Sequence, residues 1–349
     1  MNILYLTLSI ILPLVLNLIL TPIIISIAHR NQLFDATDHR KTHIGDIPRL
    51  GGIGLFVSMM ISAVIIYALN RSNVSISFYI ALSLIFISGV VDDLKPVRAI
   101  VKLLAQIAAS ITLILGGHTL SHVFIPFIEI NLDLGFFQYP LTFLWIIGIT
   151  NALNLLDGMD GQAGGVSAIG SITFGIVALI LGQTDIAITC FILAGALIGF
   201  LNFNFPPAKI FMGDGGSLTV GFLLAAIPLL FQAPDNRGKV ILVAIAIMLI
   251  PILDVFSAII RRTKKKISFF KPDRGHIHHK FIDFTSLNTK QILGVIYSIC
   301  ILSGTLATLF ILKTNMLTQL GLVLNLLIHT VLFTFLHRRK EAGIIKEKE

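Results

Sequence analysis

A chain of 349 residues that is 55% hydrophobic and 13% charged, with a mean hydropathy of +0.91, excludes a water-soluble globule and points to a polytopic membrane protein. Its formal net charge of +8 calls for no nucleic acid, because basic loops facing anionic lipid give the same bias. Cys190 and Cys300 both lie inside apolar runs and read as small packing residues.

Apolar stretches of the length that a bilayer core demands run over 3–28, 51–69, 75–91, 99–117, 139–156, 164–182, 186–203, 216–233, 240–260, 292–312 and 316–336. The expectation is an all-α integral membrane protein, a single polytopic domain over 1–349 with about eleven helices. No Lys or Arg precedes the first stretch, which argues against a cleaved signal peptide and for an N-terminus outside. An odd number of crossings then leaves the C-terminus cytoplasmic, with a first cytoplasmic loop at 29–50, a basic one at 261–291 and a tail at 337–349. Only Arg71, Arg237, Lys239 and Lys313 of the 26 basic residues stay outside, as the positive-inside rule requires.

Polar motifs interrupt these runs in order. In HRNQLFDATDHRKTHIGDIPRLGG (29–52), Arg40, Lys41, His43 and Arg49 gather before a Gly pair, either as a charge anchor or as a phosphate-contacting loop. VVDDLKPVR places Asp92 and Asp93 at a helix end, where they could be solvated caps. Neighbours on a helix diverge by about 100°, so at most one of them aims squarely at a shared target. Lys102 follows inside an apolar run and needs an anion at the inner face. HVFIPFIEINLDLG alternates weakly and predicts a short outer β-hairpin.

The densest motif is NALNLLDGMDG (151–161). Asn151 and Asn154 stand three apart, which on a helix points both at one target. Asp157 and Asp160 follow among glycines that let backbone approach a ligand. In NFNFPPAKIFMGDGGSLTVG (202–221), Pro206 and Pro207 stop one helix. Asn204 stands just before them, and Phe211 offers a stacking face. Asp214 opens the next helix, either as an N-cap or beside a cation that bridges to phosphate. RRTKKKISFFKPDRGHIHHKF (261–281) sets His276, His278 and His279 among Arg274 and Lys280. Without a Cys or an i, i+4 pair, phosphate or sugar contact suits this loop better than zinc.

The topology, drawn without using the acids, brings all these motifs to one side of the membrane. Asp92, Asp93, Asn154, Asp157, Asp160, Asp214 and the His-rich loop would line a cytoplasmic cleft. Few carboxylates, amides and a basic rim suit Mg²⁺, which keeps waters and adds substrate phosphates. An EF-hand fails, since residue 168 is Ala where its Glu would stand, and no phosphate-loop signature appears. The expected chemistry is phosphoryl transfer between a water-borne and a membrane-borne substrate. A transporter of an anionic substrate, the alternative class, would place ionisable residues near helix midpoints and show repeats. A lipid-phosphate scaffold would need the basic loops but no clustered acids.

Taken together, PRLGG (48–52), VDD (91–93), NALNLLDGMDG, FMGDGGSL (211–218) and HIHHK (276–280) resemble, in order, the motifs of the polyprenyl-phosphate N-acetylhexosamine-1-phosphate transferases, which include the phospho-MurNAc-pentapeptide translocases. The resemblance implies a multi-pass protein of the bacterial cytoplasmic (inner) membrane with its active site facing the cytoplasm. It implies Mg²⁺, with Mn²⁺ as a substitute, a UDP-HexNAc donor, a polyprenyl (undecaprenyl) phosphate acceptor and release of UMP, as the first step of lipid-linked envelope polysaccharide synthesis. Carried over by position, Asp214 and Asn154 hold the metal, and Asp92 and Asp93 orient or deprotonate the lipid phosphate. Asp157 and His279 join this catalytic set, and Lys102 contacts phosphate. Asp160, Asn204 and Phe211 face the uridine end, and His276 and His278 the donor's phosphates and sugar; Arg274, Lys41 and His43 add substrate contacts read from the basic charge of their own loops. The peptide-sugar branch carries Thr-Pro-Thr-Met-Gly-Gly and three consecutive histidines. Ile47 to Gly52 and the interrupted His-x-His-His favour the simple HexNAc branch, with UDP-GlcNAc as donor and the muramyl peptide as the alternative. Direct in-line attack and a two-step route through a phospho-aspartate both stay open here. The last two helices carry no acid and leave room for a homodimer.

Overall fold

The apolar runs fold as helices. The computed structural model describes residues 3–34, 47–70, 75–232, 236–264 and 287–346. In order they form α1 (Ile3–Arg30), α2 (Gly51–Asn70), α3 (Ile76–Leu94), α4 (Ala99–Leu115), α5 (Gln138–Leu156), α6 (Gln162–Ile180) and α7 (Thr184–Asn204). Then come α8 (Gly213–Leu230), α9 (Arg237–Ile247), α10 (Leu249–Lys264), α11 (Thr289–Leu312) and α12 (Met316–Lys346). Among the described residues eight helices are long and apolar enough to cross a membrane, or nine if α9 and α10 make one bent span. The two other predicted spans correspond to shorter apolar helices, α4 and Met316–Val331. This is an all-α, multi-pass integral membrane protein.

Its polarity is turned inside out, as lipid demands. On α1, Asn17 and Thr21 are fully buried while Ile11 and Ile19 are 51% and 56% exposed. The buried amide is satisfied across the helix pair: Asn17 donates to Ser58 Oγ on α2 (3.3 Å) and accepts from Thr21 Oγ1 (2.9 Å). An unpaired polar group there would cost several kcal/mol, on the order of 4.

The ninth predicted span is broken. The chain turns by 69° between α9 and α10, and Pro251 lies in the first turn of α10. Its ring lacks an N–H and clashes with the carbonyl four residues back, that of Ile247, which is where α9 stops.

The predicted hairpin is present. β1 (His122–Ile125) pairs antiparallel with β2 (Ile130–Asp133), His122 opposite Asp133 and Ile125 opposite Ile130. It joins the C-terminal end of α4 to the N-terminal end of α5. The acids sit at the C-terminal ends of α3 and α5, so the hairpin and the acids lie at opposite ends of the bundle.

The axis of the molecule is α8, 94% of whose residues are buried and which packs against α2, α3 and α5. A helix apolar on every side belongs in such a place. Glycine permits the approach of α3: a Cβ on Gly89 would lie 2.5 Å from the carbonyl oxygen of Asp214. The obstacle is backbone and cannot rotate away, so Gly89→Ala should destabilise the protein by about 2 kcal/mol. Thermal unfolding in detergent checks this, and activity should fall with it because Asp214 is what the new methyl group displaces.

Candidate active site

Asp214 begins α8 with three chain segments converging on it. Residues 48–52 are stitched to the preceding turn by three backbone bonds: Phe211 N to Pro48 O (2.8 Å), Gly51 N to Phe211 O (3.0 Å) and Gly52 N to Met212 O (2.8 Å). Gly213 has φ 70°, the left-handed region that favours glycine. A Cβ there would also strike the Asp93 carboxylate at 2.6 Å. The PRLGG and MGDGG motifs thus form one backbone unit.

The two neighbouring acids diverge, as helical geometry requires. Asp93 accepts from the backbone N–H of Asp214 at Oδ1 and of Gly215 at Oδ2, both at 2.8 Å. It therefore caps α8 from outside that helix, satisfying two of its orphan donors. Asp92 accepts from Val97 N (2.9 Å) and from Lys102 Nζ (3.1 Å).

Asp214 is gripped from both sides. Lys102 Nζ on α4 donates to Oδ2 at 2.7 Å, and Asn154 Nδ2 on α5 donates to Oδ1 at 3.2 Å. Arg49 Nη2 lies 3.6 Å from Oδ1. Lys102 thus finds its anion, as expected from its place in an apolar run. Asn154 also donates to Ser217 Oγ (2.8 Å), one turn into α8.

Asp157 follows the end of α5. Among the described residues no hydrogen-bond donor reaches its carboxylate, in contrast to Asp92, Asp93 and Asp214. Burial first, and then the charge of Asp214, pushes its carboxyl well above the usual range, with Asp93 and Asp160 adding to this and Arg49 opposing it. Replacing it by a neutral isostere should relieve this field. Asp157→Asn is expected to raise the melting temperature by roughly 2 °C while lowering activity. The folded state holds the Asp157 proton more tightly than the unfolded chain, so the acid destabilises only once ionised. The gap in melting temperature between variant and wild type should therefore widen as pH rises and close as it falls.

The residues assigned to the uridine end divide. Asn204 is 2% exposed and spends its amide inside the chain, accepting from Gly161 N (3.0 Å) and donating to Ile210 O (2.9 Å). These bonds place it in the turn between Gly161 and Ile210. Asp160 accepts from Ala208 N (3.0 Å) and anchors the same turn while staying partly accessible. Phe211 is also half-buried. Tyr297 on α11 closes the turn by donating to Gly161 O (2.6 Å). Lys41, His43, Arg274, His276, His278 and His279 lie outside the described residues.

Asn151 departs from its expected direction. Its amide pairs with Gln106 on α4, not with Asp214. Two residues at the site were missed from sequence. Arg49 belongs to a loop that reads either as a charge anchor or as a phosphate contact, and its place directly before Leu50 and the two glycines that pair with Phe211 and Met212 is the signal for the second. Ser217 carried a signal in its spacing, since i and i+3 on one helix share a face.

A divalent cation fits this donor set. The Asn154 amide oxygen and both Asp157 oxygens accept no hydrogen bond among the described residues, and they lie beside Asp214. Among the described residues no cluster of three or more His, Cys, Asp or Glu could hold a metal. An ion here would keep waters or take substrate phosphates, the habit of Mg²⁺.

A family model, glycosyl transferase family 4, matches residues 75–232, which hold the geometry above except Tyr297 and Arg49 with its segment. A Bacillus subtilis protein, "Probable undecaprenyl-phosphate N-acetylglucosaminyl 1-phosphate transferase", is 34% identical over 332 residues, 95% of this chain and 90% of its own length. The chain belongs to glycosyl transferase family 4. Other relatives in this family come from both substrate branches. The Yersinia pestis "Undecaprenyl-phosphate alpha-N-acetylglucosaminyl 1-phosphate transferase" is 34% identical over 265 residues, 72% of this chain and 70% of its own. The Listeria welshimeri "Phospho-N-acetylmuramoyl-pentapeptide-transferase" is 34% identical over 258 residues, 67% of this chain and 75% of its own.

Proposed function

We propose that the protein transfers GlcNAc-1-phosphate from UDP-GlcNAc to undecaprenyl phosphate at the cytoplasmic face of the bacterial inner membrane, with Mg²⁺, releasing UMP. The observation that carries this reading is Asp214 at one end of a membrane bundle, flanked by Lys102, Arg49 and Asn154, in a family whose B. subtilis member bears that activity in its name.

The chain's own residues divide the work. Asp92 anchors Lys102, and Asp93 fixes the backbone of Asp214, so the two acids hold the site rather than react. Lys102 and Arg49, whose side chain is 40% exposed, would take phosphate oxygens as well as Asp214. Mg²⁺ held by Asp214, Asn154 and Asp157 would neutralise charge on the donor's diphosphate. The lipid phosphate oxygen attacks the β-phosphorus, the bond between that phosphorus and the bridging oxygen breaks, and the α-phosphate leaves as UMP. A phosphate monoester has its second pKa at about 6, so the nucleophile is largely ionised already. Both carboxylates of the pair are engaged, and a phospho-aspartate at Asp93 would strip α8 of its cap, which favours the direct route.

Donor choice is tested by comparing UDP-GlcNAc, UDP-GalNAc and UDP-MurNAc-pentapeptide with the purified protein. The expected result is the largest kcat/KM for UDP-GlcNAc. Preference for the muramyl peptide would move the protein to the other branch. Arg49→Met should raise the donor KM by about tenfold, the usual order for one charged phosphate contact.

A further inference from the structure

Two amides meet inside the membrane region one turn away from the site. Gln106 on α4 is 1% exposed. Its Nε2 donates to Asn151 Oδ1 on α5 at 3.3 Å, and Asn151 Nδ2 donates back to Gln106 Oε1 at 2.7 Å. Asn151 is fixed further by donating to Ile147 O (2.7 Å), and Ser110 Oγ donates to Gln106 O (2.8 Å).

Stability alone does not account for this pair. A hydrogen bond between membrane helices adds little net stability, and an apolar pair of similar shape would serve as well. Polar pairs in apolar interfaces have a better attested use, which is to fix the register of two helices. Register matters here because of what stands one turn along each helix. Lys102 lies four residues before Gln106, and Asn154 three residues after Asn151. These two side chains hold the opposite oxygens of Asp214, Lys102 on Oδ2 and Asn154 on Oδ1. A slip of α4 along α5 would be delivered directly to the Asp214 carboxylate.

We propose that Gln106 is a positioning residue: its two-bond pair with Asn151 sets the register of α4 against α5 and thereby the spacing of Lys102 and Asn154 across Asp214. The proposal deepens the transferase reading and rests on it for its kinetic readout.

The test compares Gln106→Leu, the double variant Gln106→Leu/Asn151→Leu, and the exchanged pair Gln106→Asn/Asn151→Gln. Each is assayed for kcat and donor KM, for thermal unfolding, and for amide hydrogen exchange in the first turn of α4. Gln106→Leu should lower kcat by about tenfold with donor KM little changed, the scale of a sub-ångström misplacement. The double Leu variant should regain melting temperature, since no amide is left unpaired, yet keep the low kcat. The exchanged pair should return kcat to within about threefold of wild type, because it rebuilds two bonds over the same number of side-chain atoms. Exchange at residues 99–105 should rise in both Leu variants and fall back in the exchanged pair. If kcat follows melting temperature through the series, or the exchanged pair recovers neither kcat nor protection, the pair is packing only and the proposal is wrong. An inactive wild type would sink the transferase reading, and the hydrogen-exchange pattern would still decide the register claim.

Discussion

Asp214→Asn is expected to reduce kcat by about a thousandfold or more, with a melting temperature within about 3 °C of wild type. Asparagine keeps the shape, and the backbone N–H at this position still donates to Asp93. What disappears is the charge facing Lys102 at 2.7 Å and Arg49 at 3.6 Å. Asp92 still holds Lys102 at 3.1 Å, so the ammonium is not orphaned and the fold survives. The measurement is turnover paired with thermal unfolding of the same preparation. A variant that melts like wild type and keeps a tenth of its activity would remove Asp214 from the centre of the mechanism.

Asp93→Ala is expected to fail differently. It removes the acceptor of two backbone donors, those of Asp214 and Gly215, at the start of a helix of buried residues. Loss of a cap together with buried unsatisfied donors should cost about 3 kcal/mol, so melting temperature and activity fall together. Asp93→Asn retains one acceptor and should recover part of both. Asp92→Asn, which leaves the two capped backbone donors of α8 in place, should lower activity through Lys102 with a smaller loss of stability. Equal behaviour of the two acids in unfolding experiments would contradict the division of labour between them.

Much of this arrangement is legible in the chain. Apolar length and basic-residue bias place the helices, and the 100° step between neighbours already says that Asp92 and Asp93 face different partners. Lys102 declares its need for an anion by standing in an apolar run. Other features depend on neighbours that a linear reading does not supply. Asn151 and Asn154, three apart, are rotated by about 60° on the helix. That is enough to send one to α4 and the other to α8, because α5 packs against both. Asn204 has the composition of a ligand contact, and only the fold shows its amide bonded to Gly161 and Ile210. Pro251 sits in an uninterrupted apolar run, so hydropathy passes over the 69° break it marks. Arg49 looks like one more anchoring charge until backbone pairing lays its segment beside Gly213.

The most direct measurement of the central claim follows the β-phosphate. Purified protein in detergent would be given undecaprenyl phosphate, Mg²⁺ and UDP-GlcNAc labelled with ³²P at the β position, and the lipid and aqueous phases counted separately. Label entering the lipid with an equal amount of unlabelled UMP in water is the predicted result, and Asp214→Asn should abolish it. Label left in water as UDP, with the sugar alone passing to lipid, would contradict the account, since a different bond would have been broken.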